Sequence, residues 1–106
     1  MIEMDANKQY FIICRDREQF KNFTNKKTND LWLQGYTLFS LSNFIYVSGV
    51  DRLRGHSNPS GFFVGMWYER PDIRDILAVL LACCTDSKKV ETIANMYDRV
   101  VEYENR

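Results

Sequence analysis

The chain has 106 residues, 45% of them hydrophobic and 14% aromatic, and its fourteen Lys and Arg balance fourteen Asp and Glu. That length and composition fit one globular domain with a modest core and exclude a disordered chain. Zero net charge excludes a global field drawing the protein to nucleic acid or anionic lipid, so no specific nucleic-acid partner is expected.

The opening "MIEMDANKQY" has no apolar run of the kind a secretion signal needs, and Cys14, Cys83 and Cys84 are odd in number with two of them adjacent. The expected compartment is therefore the reducing cytoplasm, where the sequon Asn22-Phe23-Thr24 carries no meaning. The longest apolar stretch, Ile76 to Cys84, is nine residues, far short of the roughly 20 a membrane span needs. It belongs in a core, and no membrane is expected.

Along the chain, residues 1–8 are polar and read as a flexible N-terminus, with 9–106 as a single domain. "QYFIIC" (9–14) is a continuous apolar run, consistent with a strand buried on both faces. Asp16-x-x-Gln19 reads as a capping box opening a helix to about Lys27, with Phe20 and Phe23 inside. Residues 28–43 are either a hairpin turning at Gly35 or an irregular aromatic segment over the core. "NFIYVS" (43–48) is a second strand, and "GVDRLRG" (49–55) a helical turn or two stopped at Gly55. After the loop "HSNPSG", residues 62–68 read as a third strand, with Gly65 marking a bulge or a close approach. Pro71 suits the first position of a helix, with Asp72 and Asp75 at its positive end.

That helix places Ile73, Ile76, Leu77, Leu80, Leu81 and Cys84 at helical spacing, and Ala78, Val79, Ala82 and Cys83 make it apolar on more than one side. A last amphipathic helix from about Lys88 aligns Val90, Ile93, Ala94, Tyr97, Val100 and Val101. The order predicts an α/β domain: a small, mainly parallel sheet of about three strands, flanking helices and two C-terminal helices. The alternative is α+β with a hairpin at 31–41. Two apolar helices over so small a sheet also predict a homodimer through the C-terminal helices.

A parallel sheet gathers the carboxyl ends of its strands along one edge, where ligands prefer to sit. Three junctions meet there: Cys14-Arg15-Asp16-Arg17, Ser48-Gly49-Val50-Asp51 and Trp67-Tyr68-Glu69-Arg70. Arg15, Ser48 and Arg70 are the candidates for holding an anion, set against capping carboxylates that cancel much of the charge. Arg52, Arg54 and His56 form a second candidate, a phosphate-binding loop weighed against a solvated one. Alternation along a strand sends Trp67 and Tyr68 to opposite sides, while Pro71 frees the Arg70 guanidinium beside Glu69, so "WYER" reads as part of a binding surface.

Catalysis finds little to build on. The cysteines and the single histidine lack zinc spacing, no metal or cofactor is expected, and GxSxG is absent. "LRGHSNPSGFFVG" is similar to the stretch leading into the Walker B strand of terminase- and helicase-like P-loop NTPases. Phe62 to Met66, however, carries no acid where that family binds magnesium, and "IICRDREQF" offers no phosphate loop. The whole chain also resembles small bacteriophage-encoded α/β proteins. These readings lead to a non-catalytic binding protein acting through protein–protein interaction, such as a phage inhibitor of a host or defence factor. The alternative is a small-ligand module taking a nucleotide or other phosphate compound at the strand ends, with a minor nucleotide-acting enzyme behind it.

Overall fold

The computed structural model describes residues 5–104. Part of the expected flexible N-terminus, residues 1–4, lies outside them. Residues 5–8 form a turn in which the Asp5 backbone N–H donates to the Tyr10 hydroxyl at 2.8 Å and the Lys8 N–H to the Asp5 carbonyl at 3.1 Å. The buried Asn43 amide holds this turn by donating to the carbonyls of Ala6 and Lys8.

Three short strands form the sheet: β1 (Tyr10–Ile13), β2 (Phe44–Tyr46) and β3 (Gly61–Phe63), in the order β2-β1-β3 and parallel throughout. β1 is central, and all four of its residues are buried, as its unbroken apolar run requires. Tyr10, Ile12 and Cys14 point to one face, where α1 (Arg17–Leu33) covers them with Phe20, Phe23 and Leu31. Phe11 and Ile13 point to the other, into a cluster built by α2 (Ile73–Cys83) and α3 (Ser87–Glu104). The result is the expected α/β class in three layers. Fully burying a side chain such as Ile12 or Leu77 stabilises the fold by about 1.5–3 kcal/mol.

Several boundaries differ from the sequence reading. α1 runs on to Leu33, so the hairpin at 31–41 does not form. Thr28 and Leu31 are buried beneath the helix, and that tertiary contact overrides the weak helix preference of Thr28, Asn29 and Asp30. Gly35 still breaks the chain, but as a helix terminator. With φ of +95° it lets its own N–H reach the Trp32 carbonyl at 3.0 Å and the Tyr36 N–H reach that of Leu31 at 2.8 Å. The third strand stops at Phe63, and Trp67–Glu69 forms a single 3-10 turn. α2 begins at Ile73, two residues beyond Pro71, and its outward side shows Arg74, Asp75, Ala78 and Ala82 to solvent. Its apolar stripe is buried against the sheet and α3, where Ile93 and Val100 meet it. Among the described residues no helix is long and apolar enough to cross a membrane.

Candidate functional site

The carboxyl ends of β1 and β3 bring together Arg15, Asp16, Gln19, Met66 and Glu69, and Arg17 and Arg70 meet at Tyr46 of β2, while Ser48 is exposed and takes no part in these contacts among the described residues. What they build is a closed network. Asp16 caps α1, its Oδ1 accepting from the Gln19 N–H at 3.0 Å. That bond and the Arg15 guanidinium beside it hold the Asp16 carboxyl below its ordinary range. Arg15 is divided between Asp16 at 2.9 Å and Glu69 at 3.3 Å, and the paired carboxylates raise its pKa. The Gln19 Oε1 accepts from the backbone N–H of Arg15 at 3.1 Å and of Met66 at 3.3 Å, tying the exit of β1 to that of β3.

Arg70 corrects the sequence reading most sharply. Its guanidinium is not free at the sheet edge; the residue is 6% exposed. Nη1 donates to the carbonyl oxygens of Cys14, at 3.3 Å, and of Val47, while Nε and Nη2 pair with the two Asp72 carboxylate oxygens at 2.9 and 3.0 Å. Two donors from Nη1 and one each from Nε and Nη2 use four of the five N–H groups. The residue joins the ends of β1 and β2 and anchors the chain entering α2. Two guanidinium groups lie over the Tyr46 ring, that of Arg17 at 4.8 Å and that of Arg70 at 5.7 Å.

Trp67 and Tyr68 also depart from expectation. Both are half-buried and pack on the α2/α3 cluster, instead of pointing to opposite sides. Strand alternation no longer applies, because Gly65 turns the chain at φ of +59° and a 3-10 turn rotates successive side chains by about 120°. The close approach expected at Gly65 is present: a Cβ there would crowd the Gln19 carboxamide at 2.9–3.0 Å.

The second sequence candidate divides. Arg54 pairs with Asp51 at 3.1 Å, and Arg52 is exposed. His56 sits at the amino end of the sheet, edge-on to Phe11 at 4.9 Å, in an open cleft of about 620 Å³ shared with Asn7, Lys8 and Ser57. The chain's one histidine and the Cys14 thiol thus stand at opposite ends of β1. Burial pushes that thiol's pKa up, and it donates to the Asp16 carbonyl at 3.2 Å, which suits a packed side chain and not a nucleophile. No group of three or more His, Cys, Asp and Glu is placed to hold a metal ion among the described residues.

The feature that sequence reasoning missed lies where α1 ends. Trp32, Leu33, Tyr36, Leu38 and Leu41 are 50%, 79%, 37%, 85% and 52% exposed. The segment is nevertheless fixed. Phe39 is buried beneath it, the Trp32 indole Nε1 donates to the Phe39 carbonyl at 2.6 Å, and Tyr36 meets Phe39 edge-on at 6.2 Å. The signal was in "LWLQGYTLF", which holds more large apolar groups than one helix end can bury. Comparison of the chain with protein-family models, curated proteins and solved structures finds no match.

Proposed function

We propose that this chain is a binding protein that acts without catalysis, docking a protein partner through the apolar surface at 32–41. The observation that carries the reading is the exposure of Trp32, Leu33, Tyr36, Leu38 and Leu41 on a segment held by its own hydrogen bonds and by buried Phe39. Large contiguous apolar patches are uncommon on the surface of monomers, and those that occur mark contact sites. A pre-ordered segment loses little entropy on binding, so aromatic and leucine anchors there convert efficiently into affinity. Such a surface suits an inhibitor seated on a larger protein; that the protein is phage-encoded rests only on the resemblance.

The small-ligand reading at the strand ends draws less support. An anion arriving there would compete with Asp16, Glu69 and Asp72 for guanidinium groups already paired. A second copy of the chain is the other occupant to test, whether on this surface or on the C-terminal helices.

A photo-crosslinking residue at Leu38, compared with one at Arg54, distinguishes these outcomes in extract from the cell in which the protein acts. The expected result is a discrete heterologous adduct from position 38 that disappears in a Leu33→Ser background and is absent from position 54. An adduct of the chain with itself alone assigns the surface to self-association. Equal labelling from both positions overturns the reading.

A further inference from the structure

A groove of about 570 Å³ runs between the open edge of β3 and α3, on the side of the molecule away from the strand-end network. Its walls are apolar: Phe63 from the strand, Leu80 from α2, and Ile93 and Met96 from α3. Lys8 and Lys88 stand at its rim, and among the described residues neither takes part in a salt bridge. Lys89 lines it as well, its Nζ donating to the Asn58 carbonyl at 2.8 Å.

The ladder fixes which backbone groups face this groove. Phe11 N–H donates to the Ser60 carbonyl and Val64 N–H to the Ile13 carbonyl, both at 2.9 Å, in the register Phe11–Gly61 and Ile13–Phe63. In a parallel ladder that pattern turns alternate residues of β3 toward β1, so Gly61 and Phe63 direct their N–H and C=O away from the sheet. Neither residue's backbone has another hydrogen-bond partner among the described residues. Proteins protect such an edge by keeping it short, by charge, by proline or by cover, and β3 is three residues long. Here Gly61, Phe62 and Phe63 are uncharged, while Lys8, ahead of β1, and Lys88, on α3, bring positive charge to the groove.

We infer that the β3 edge accepts an extended peptide segment carrying acidic side chains. The segment's backbone pairs with Gly61 and Phe63, its apolar side chains sit on Phe63 and Met96, and its carboxylates meet Lys8 and Lys88. Strand addition of this kind draws affinity from the main chain and specificity from alternate side chains. The site is separate from the surface at 32–41.

The test is selection of displayed random twelve-residue peptides on a Leu33→Ser/Leu38→Ser chain, which lacks the two most exposed anchors of the other surface. Recovered peptides alternating apolar residues with Asp or Glu are expected. Their affinity for the unmodified chain falls about tenfold or more in Lys8→Glu/Lys88→Glu, a variant changed only at exposed positions whose melting temperature serves as control. Hydrogen exchange at the Phe63 amide slows on binding, and a central proline in the peptide abolishes it. No enrichment, peptides without acidic residues, tolerance of the proline, or an unprotected Phe63 amide each overturns the inference. The 32–41 reading is untouched by any of these, because its own test depends on Leu33 and Leu38.

Discussion

The carboxyl end of the sheet and the far end of α1 show two opposite ways for a small domain to treat side chains it cannot bury. At the sheet end, polar groups are numerous and engaged with one another: Arg15 with Asp16 and Glu69, Arg70 with Asp72 and two carbonyls, Gln19 with two backbone N–H groups. At the α1 end, apolar groups are numerous and left in water, on a segment held by the Trp32 indole bond to the Phe39 carbonyl. The first region has its partners within the chain, and the second has anchors without a cover. Charge at a sheet edge marks a ligand site only when some of it remains unpaired.

Replacing Arg70 breaks the first half of that comparison most severely. Arg70→Met leaves the Cys14 and Val47 carbonyls and Asp72 without their donor, and should cost about 3–5 kcal/mol in urea unfolding. Retention of full stability would show that the network is dispensable and its arginine available to a ligand. Gly65→Ala is expected to cost about 1–2 kcal/mol by the same measurement, since alanine is strained at φ of +59° and its Cβ presses on Gln19.

The helix that carries the apolar surface can be improved. The Thr28 hydroxyl is buried with no hydrogen-bond partner among the described residues. Thr28→Val should therefore stabilise the protein by about 1 kcal/mol in thermal or urea melts, with the 32–41 surface unchanged. Leu33→Ser with Leu38→Ser should move stability by no more than about 0.5 kcal/mol, because both side chains are exposed, while Leu33→Ser alone removes the partner crosslinked from position 38. A large loss of stability would mean that the surface is part of the core.

The smallest effect is in acid. Asp16 has a lowered pKa in the folded state, so its contribution is present above the unfolded-state value and lost as the pH falls through the folded one. Asp16→Asn should lower the melting temperature slightly through the neutral region and flatten the acid limb below the usual carboxylate range, so that the two curves of melting temperature against pH converge at low pH.

Much of the fold was legible because its signals are local. "YFII" is apolar without interruption and became the central strand, Asp16 capped a helix although Gln19 turned its side chain to Arg15 and Met66 instead of completing the box, and Ile73, Ile76, Leu77 and Leu80 repeated at helical spacing and became a buried stripe. The site was less legible. The sequence put Arg15, Glu69 and Arg70 at the strand ends, where they lie, yet left Arg70 a free guanidinium that the structure shows bound. Which carbonyls an arginine reaches depends on strands 23 and 56 residues away in the chain.

By itself, then, the sequence determined the class of fold, the order of the elements and the absence of familiar metal and phosphate-loop spacings, all carried by periodicity and by near neighbours. Only the tertiary structure decided where α1 stops, which charges are already paired, and which hydrophobic residues are left over. Those outcomes depend on competition for a limited interior. Phe39 and Leu31 fill the space above the sheet, and once it is full, Leu33 and Leu38 remain in water however apolar they are.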